Sequence, residues 1–433
     1  MKAKWNFSRA SVFIYWLLIL ALLGLFFTND FGLVDIHKTA IITAVGVDFD
    51  GEEVQVTGEL AVPQPSQSGE NIKYTQVQGS GITIADALNE INAKTGFYPK
   101  LQFCKLILLG ESCRERELFS LLACFYRKDF SELTALVADC EGNASDMLAL
   151  KSEVNDMTSE AIRKVLSDEI EKSANAAPTS LRDIAVMQYS KSAACYLPYV
   201  EANKQGTSES GGEGENIGGE GGNQGSGGEQ GGSSGGSSGG SGGEQGGSGD
   251  GEGSPQSGGA SAQEQPMEFT ARKTAIYSNG QFKGILDERQ SFALAALQND
   301  IRLAVLPCDA EEVHYTLGMK SVDCGVKLKV NGGIPELTLS FNAKARINGA
   351  RKQLDPKTII YDDVVPEPVL KGAEEALLER FSDLIKICQD EDCDILGVKE
   401  LLYKYENKYY DAFKDDILTR MKVNYNITVE SAN

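Results

Sequence analysis

Hydrophobic residues follow three different patterns along this chain, and the first is a single uninterrupted run close to the amino end. The run from Ala10 to Thr28 reads ASVFIYWLLILALLGLFFT and contains no charged residue. At about 1.5 Å per residue a helix over this run measures roughly 28 Å, close to the ~30 Å hydrocarbon core of a bilayer. The pattern predicts a transmembrane anchor over residues 10–28, preceded by a basic tail over residues 1–9.

The charges on either side of this run predict its orientation. Lys2, Lys4 and Arg9 precede the run, whereas Asp30 and Asp35 follow it. Positive residues that flank a membrane segment stay on the cytoplasmic side. We therefore expect a cytoplasmic amino terminus and an extracytoplasmic remainder of the chain.

Three alternatives to an uncleaved anchor fit the sequence less well. A cleaved signal peptide requires small residues around its cleavage site, but the run ends in GLFFTNDFG. A lipoprotein requires a cysteine directly after the run, but the first cysteine is Cys104. A buried core helix is disfavoured by the length of the run and by its lack of a polar face.

The second pattern, between residues 38 and 200, alternates strand and helix signals and predicts an α/β domain with a mixed sheet. The apolar segment 40–48 meets the segment 54–62 through Asp50-Gly51, which is a hairpin signal. The other elements expected here are a helix over 83–93, a strand over 103–109, a helix over 115–126, a strand over 134–139 and a helix over 159–172 capped by Ser159.

A compositionally biased segment interrupts the apolar patterns between residues 205 and 265. It consists mainly of Gly, Ser, Glu and Gln, has no Lys or Arg, and has Ile217 as its one large aliphatic residue. Such a segment cannot bury enough apolar surface to offset the entropy cost of ordering, so it is predicted to be a disordered linker. It either separates two folded domains or is an insertion tolerated in a loop.

The third pattern, between residues 268 and 430, is strict alternation of apolar and polar residues. The alternation runs through 313–319, 337–347 and 421–429, and it predicts an antiparallel sheet with one solvated face. A helix is expected to cover the other face with the apolar residues Leu370, Ala373, Leu377, Phe381, Leu384, Ile385 and Cys388. The predicted class is therefore α+β or mixed α/β, in two or three extracytoplasmic domains of mixed and antiparallel sheets packed by helices.

Charge and composition exclude several classes of function. The 433 residues carry 41 Lys+Arg against 62 Asp+Glu, a net charge of −21, and no dense basic run that would bind nucleic acid. The two histidines, His37 and His314, make His-rich metal sites and His-based catalytic triads improbable. No metalloprotease, Walker or kinase motif occurs in the sequence.

The clusters of acidic residues and of cysteines are explained better by structural roles than by a metal or catalytic site. The segment from Asp48 to Glu53 resembles the start of a calcium loop, but strand residues follow it directly, so a tight turn is favoured. Cys388 and Cys393 lack a second Cys/His pair to complete a zinc site. The odd set of nine cysteines has no framework spacing, although some pairing outside the cell is possible. We therefore predict no catalytic residue, no cofactor and no metal.

Several short motifs, in the same order along the chain, resemble the C subunit of spore germinant receptors, the Ger(x)C family. A strand of the type A-I-V-T-G-I-G-I-D is similar to residues 40–48, and Gly79 to Leu88 is similar to the family's helix entry. Residues 106–111 (LILLGE) match a strand leading to I-G-E. Asp394 to Tyr405 resembles the D-I-F-G element near the family's carboxyl end.

This resemblance implies a non-enzymatic subunit on the outer face of the inner spore membrane or cell membrane, acting in spore germination. Its implied partners are the multi-spanning A- and B-type receptor subunits that detect small nutrients. The family's lipid-bearing cysteine, which is followed by Trp, has no equivalent, because residues 30–34 read DFGLV. We expect the 10–28 segment to anchor the chain instead.

Two other functions are consistent with the sequence. The first is a generic membrane-anchored extracytoplasmic binding protein for a small ligand or wall fragment. The second is a secreted hydrolase, which has less support because the sequence displays no convergent set of titratable residues. A ligand-induced rise in melting temperature would favour the binding protein.

Overall fold

A computed structural model describes residues 9–28, 39–66, 69–96, 98–127, 131–152, 157–167, 177–204, 267–298, 301, 303–352 and 364–432. The predicted linker at 205–265 therefore lies outside the described residues, as do His37, Asp362 and Asp363. The helices are α1 Arg9–Thr28, α2 Ile84–Thr95, α3 Leu118–Leu122, α4 Ala144–Ala149, α5 Thr158–Ser167, α6 Leu181–Gln188, α7 Glu288–Leu297, α8 Glu367–Asp390, α9 Val398–Tyr405, α10 Tyr410–Phe413 and α11 Ile417–Arg420.

The first sheet is mixed, as the sequence predicts. Its strands follow the order β3-β2-β1-β5-β6-β7-β8-β9, with β4 also paired to β1. The β1/β5, β5/β6 and β6/β7 pairs are parallel, and the outer pairs are antiparallel. The strands are β1 Thr39–Asp50, β2 Glu53–Ser66, β3 Gly69–Gly81, β4 Tyr98–Lys100, β5 Leu106–Leu109, β6 Leu136–Cys140, β7 Ala194–Lys204, β8 Met267–Ser278 and β9 Gln281–Leu286.

The compositionally biased segment connects two neighbouring strands of this one sheet. β7, which precedes the segment, pairs antiparallel with β8, which follows it, from Ala194 opposite Ser278 to Lys204 opposite Met267. Lys273 of β8 also forms an ion pair with Glu201 of β7, with the Nζ and Oε1 atoms 2.7 Å apart. The first sheet therefore continues beyond residue 268, where the sequence pattern places the start of a separate domain.

Helices cover both faces of the first sheet, so it has two apolar cores. α2, α3 and α6 bury their apolar residues on one face, while α4 and α5 bury theirs on the other. The parallel strand β5 lies between the two layers, and all four of its residues are buried. A parallel strand covered on both sides is typically a continuous apolar run, which is what residues 106–109 show.

The second sheet consists of β10 Leu303–Ala310, β11 Val313–Asn331, β12 Ile334–Lys352 and β13 Lys422–Ser431, in that order. β11 and β12 form a long hairpin whose turn is Gly332-Gly333, both at positive φ, as a two-residue hairpin turn requires. The prediction of a purely antiparallel sheet is wrong at one edge, since β13 runs parallel to β12. The helical connection between these strands returns the chain to the same end of the sheet.

The predicted covering helix is present as α8, and its apolar face packs on this sheet. Ala373, Leu377, Phe381 and Leu384 are almost fully buried there. The same core contains Tyr196 of β7 and other residues from the edge of the first sheet. The two sheets therefore share apolar packing and do not form two independent cores.

Several boundaries differ from the sequence prediction for local reasons. The helix expected over 115–126 shortens to α3 because the Glu117 carboxylate accepts hydrogen bonds from the amides of Phe119 and Ser120 and starts the helix there. The strand expected over 103–109 begins at Leu106, after a 3-10 turn. Ser159 does not cap a helix, since α5 already begins at Thr158.

The amino-terminal apolar run forms α1, so the prediction of a helix there is confirmed. Its side chains described between residues 12 and 24 are mostly exposed, including Phe13 and Trp16. Within the part of the chain that the structure describes, no helix satisfies both the length and the apolarity required to cross a bilayer. The membrane-spanning role of residues 10–28 stays a prediction.

We expect replacement of residues 205–266 by Asn-Gly to preserve the fold. Because Lys204 lies opposite Met267, a two-residue type I′ turn fits the end of this strand pair. A shorter connection also lowers the entropy cost of closure, so the free energy of unfolding should rise by roughly 2–3 kcal/mol relative to a flexible insertion. Urea denaturation followed by circular dichroism measures this change. A scrambled insertion of the same length serves as control, and a destabilised or aggregated short variant would contradict the prediction.

Candidate functional site

The acidic turn near Asp48 has a structural role. Asp50 pairs with Glu53 across the β1/β2 hairpin, with Gly51 at positive φ, so the tight-turn interpretation is confirmed. The buried Asp48 carboxylate accepts hydrogen bonds from the amides of Ala144 and Ser145 at the start of α4, at 2.8 and 2.9 Å. Burial raises the pKa of Asp48 even though these amides stabilise its charged form.

A second buried carboxylate, Asp139 at the end of β6, is bound by two side chains. Arg114 donates to it through Nε and Nη2, the latter at 2.8 Å, and the Tyr277 hydroxyl donates at 2.7 Å. The Arg114 guanidinium also lies over the rings of Tyr199 and Phe282. Burial lowers the pKa of Arg114, but the hydrogen bonds and charge of Asp139 outweigh it and raise the pKa overall.

A third buried carboxylate, Asp394, joins the two sequence regions on either side of the insertion. It accepts hydrogen bonds from the Ser192 hydroxyl at 2.6 Å and from the amides of Val398 and Lys399 at 2.7 Å. The amides belong to the first turn of α9, so Asp394 satisfies donors that a helix start leaves unpaired. These three carboxylates are therefore engaged in holding the fold together.

The cysteines are all free and most are buried. Cys388 and Cys393 lie close together in the chain, and the Cys393 amide donates to the Cys388 carbonyl. Burial raises the pKa of Cys393 to about 12 and also raises that of Cys388, so both thiols stay protonated and apolar at neutral pH. Among the described residues, no cluster of three or more His, Cys, Asp or Glu is placed to hold a metal ion.

A cleft of about 920 Å³ lies between the edge of the first sheet and α8. β8 contributes Phe269 and Ala271, α7 contributes Phe292, and β10 contributes Val305. Its volume falls within the ~300–1,000 Å³ of small-molecule sites, and its lining mixes apolar with charged side chains, as in such sites.

Most charged groups of the cleft form pairs with one another. Arg272 pairs with Glu288 at 3.5 Å, and Arg289 pairs with Glu379 at 2.5 Å. The remaining histidine candidate, His314, lies at the cleft with its Nδ1 atom 2.8 Å from Asp309 Oδ1. Two adjacent carboxylates of α8 differ in their surroundings: Glu375 lines the cleft, while Glu374 accepts a hydrogen bond from the Val429 amide at 3.0 Å.

Arg380 of α8 differs from the other cationic residues of the cleft. Only 8 % of its surface is exposed, yet no described residue gives its guanidinium a hydrogen bond or an ion pair. Its guanidinium carbon lies 4.8 Å from the centroid of the Phe292 ring. Burial, together with the charge of Arg289, lowers the pKa of Arg380 to about 10, so the side chain is still cationic at neutral pH.

Sequence reasoning does not single out Arg380. The residue lies next to the buried Phe381 on α8, one position outside the predicted apolar face. A charged residue at the border of an apolar face usually extends to solvent. The one available signal is its spacing of three from Leu377 and four from Leu384, which places Arg380 at the edge of the apolar face. This spacing does not separate a buried arginine from an exposed one.

Comparison with known proteins identifies two matching family regions. Residues 33–202 match the family described as "Spore germination protein N-terminal domain", and residues 272–432 match "Spore germination B3/ GerAC like, C-terminal". A crystal structure of the GerBC protein is similar to this chain at 13 % identity and a TM-score of 0.48, covering 90 % of this chain and 97 % of that one. No curated protein matches the chain.

We expect Asp139→Asn to destabilise the fold by about 3–5 kcal/mol, because it leaves the half-buried Arg114 cation without its anion. The measurement is the free energy of unfolding from urea titration. Glu111→Gln is the matched control, since Glu111 lies 3.5 Å from the same guanidinium but is half exposed. The control should change stability by less than about 0.5 kcal/mol. Equal effects of the two substitutions would contradict a dominant role for the buried pair.

Proposed function

Because this chain belongs to the Ger(x)C family of spore germination proteins, we propose that it is the non-catalytic extracytoplasmic C subunit of a nutrient germinant receptor. The observation that carries the proposal is the pair of family matches, which together cover the folded regions on both sides of the insertion. Three buried carboxylates also support a non-catalytic role. Asp48 and Asp394 cap helices and Asp139 pairs with Arg114, so each of them already has a structural partner.

The subunit acts by docking on multi-spanning receptor subunits of the A and B types. A candidate docking surface, here called the tyrosine patch, consists of Val186, Tyr189, Tyr403 and Tyr405. All four side chains are substantially exposed, Tyr189 by 84 % and Tyr405 by 72 %. Exposed tyrosines that lie near one another favour protein interfaces, because each combines a large apolar ring with a polar hydroxyl.

Contacts between α6 and α9 hold the tyrosine patch together. Lys191, just after α6, places its ammonium nitrogen 4.6 Å from the centroid of the Tyr403 ring. The amide of the same lysine donates to the Glu400 carboxylate at 2.7 Å. These contacts join the turn after α6 to α9, and a preformed surface of this kind lowers the entropy cost of binding a partner.

Membrane attachment occurs through α1. Its exposed apolar side chains, among them Phe13, Trp16 and Leu20, would be unfavourable in water and favourable in a lipid environment. The basic residues ahead of this helix face the cytoplasm, and the rest of the chain lies on the outer face of the inner spore membrane or cell membrane.

One observation favours a second function, that of an extracytoplasmic binding protein for a small ligand. The cleft around Arg380 has the volume and the mixed lining of a small-molecule site. A C subunit that binds a ligand there is compatible with the first proposal. Copurification with multi-spanning subunits distinguishes a receptor subunit from a binding protein that acts alone.

The first test of the docking proposal is the double variant Tyr189→Ser/Tyr405→Ser. We expect its copurification with A- and B-type subunits from spore membranes to fall at least tenfold, because two exposed aromatic contacts are lost. The variant should fold normally, since neither side chain is buried.

Ile82→Ser is the matched control for this experiment. Ile82 is 86 % exposed and lies between β3 and α2, two elements that contribute no residue to the tyrosine patch. Its substitution removes a comparable exposed apolar side chain and should leave copurification unchanged. Undiminished recovery of the A and B subunits with the double variant would rule out the patch as the docking surface.

The attachment proposal is tested by deleting residues 1–28 in cells that lack the A and B subunits, so that no partner retains the chain. We expect the deleted protein to leave the membrane fraction, because the apolar run is gone. Deletion of residues 2–8 alone is the control and should leave the protein in that fraction. Protease treatment of intact protoplasts should then degrade the full-length chain, whereas protection would contradict an outer location.

A further inference from the structure

The starting observation is the unpaired charge of Arg380 in the cleft. Removing a guanidinium from water is costly, and folded proteins normally compensate a buried cation with an anion. The neighbouring arginines of the cleft follow this rule, since Arg272 and Arg289 each have a carboxylate partner. Arg380 is more buried than either of them. The charges of Asp287 and Glu379 act on it and raise its pKa, but no described residue forms a hydrogen bond or an ion pair with its guanidinium.

The packing around Arg380 does not explain why a cation occupies this position. Its guanidinium stacks on Phe292, and its aliphatic portion lies in a largely apolar core that a methionine would fill as well. Such a cation costs stability in the empty protein. Because it faces an open cavity, an anion that binds from solvent would pair with it and offset that cost. The cleft next to Arg380 provides the space for that anion.

From this geometry we propose that the cleft binds a small monocarboxylate whose carboxylate group pairs with Arg380. A guanidinium offers two parallel N–H donors that match the two oxygens of a carboxylate, and stacking on Phe292 orients the plane of these donors.

The other residues that line the cleft determine which chemical group can accompany the carboxylate of the ligand. Phe269, Ala271 and Val305 offer apolar surface, which suits a ligand with an apolar body. The lining carries four carboxylates (Glu288, Glu375, Glu379 and Asp309) against three arginines (Arg272, Arg289 and Arg380), and this balance disfavours polyanions such as nucleotides. The site therefore fits a single negative charge attached to an apolar group.

The proposal is tested with the full-length chain in a non-ionic detergent, using sodium benzoate as the probe. Sodium acetate, sodium phosphate and sodium chloride are compared with it at equal ionic strength. We expect benzoate at a tenfold excess over its Kd to raise the melting temperature by about 2–4 °C over chloride. Acetate should give a smaller rise, because it lacks the apolar body.

Arg380→Met should remove the benzoate-dependent rise. Its melting temperature without ligand should equal or exceed that of the wild type, because the unpaired buried charge is gone. Arg380→Lys keeps the charge but loses the two-donor fork, so the rise should become smaller. This second variant keeps the test decisive if the methionine variant does not fold.

Arg420→Met is the matched control. Arg420 also stacks on a phenylalanine, Phe413, at 4.8 Å, but it is exposed and pairs with Asp416 at 3.3 Å. The control should retain the full response to benzoate. An unchanged response in Arg380→Met, or no response of the wild type beyond that to chloride, would overturn the proposal. A response to phosphate without one to benzoate would also overturn the assignment to a carboxylate.

Discussion

The pairing of β7 with β8 is the constraint on which the arrangement of this protein depends. It brings the residues on either side of the 205–266 segment into one sheet and places β9 and α7 beside the second sheet. Even a fully flexible connection of this length costs only roughly 2–3 kcal/mol more than a short hairpin loop, because the closure entropy grows with the logarithm of length. The ladder and its flanking apolar contacts outweigh that cost, so the insertion does not divide the fold.

The motifs that resemble Ger(x)C proteins are explained by packing and capping. Asp48 caps α4, and a Cβ atom at Gly110 would lie only 2.0 Å from its Oδ1 atom, so the glycine of the LILLGE motif leaves room for that carboxylate. At Gly79 a Cβ atom would lie 2.1 Å from the Ala87 carbonyl oxygen, where α2 packs against β3. Asp394 caps α9 and accepts from Ser192. These motifs therefore have structural roles in packing and helix capping.

The buried charged groups are of two kinds, those with hydrogen-bonding partners in the fold and Arg380. Asp139 and Arg114 satisfy each other within the first sheet, and Asp394 is satisfied by amides and a hydroxyl, so each of these groups stabilises the fold at its own location. Arg380 has its charge in the cleft, and no described residue forms a hydrogen bond or an ion pair with its guanidinium. Because the cleft lies where the two sheets share apolar packing, an anion bound there would contact elements from both sequence regions at once.

The sequence by itself determined the type of most elements, the covering face of α8, the biased segment and the family, because periodicity and motif order depend on residues close together in the chain. Only the tertiary structure decided that β7 pairs with β8, that β13 runs parallel to β12, and that Arg380 is buried beside Phe292. Strand pairing and burial depend on residues far apart in the chain, and a local pattern contains no information about which of those residues meet.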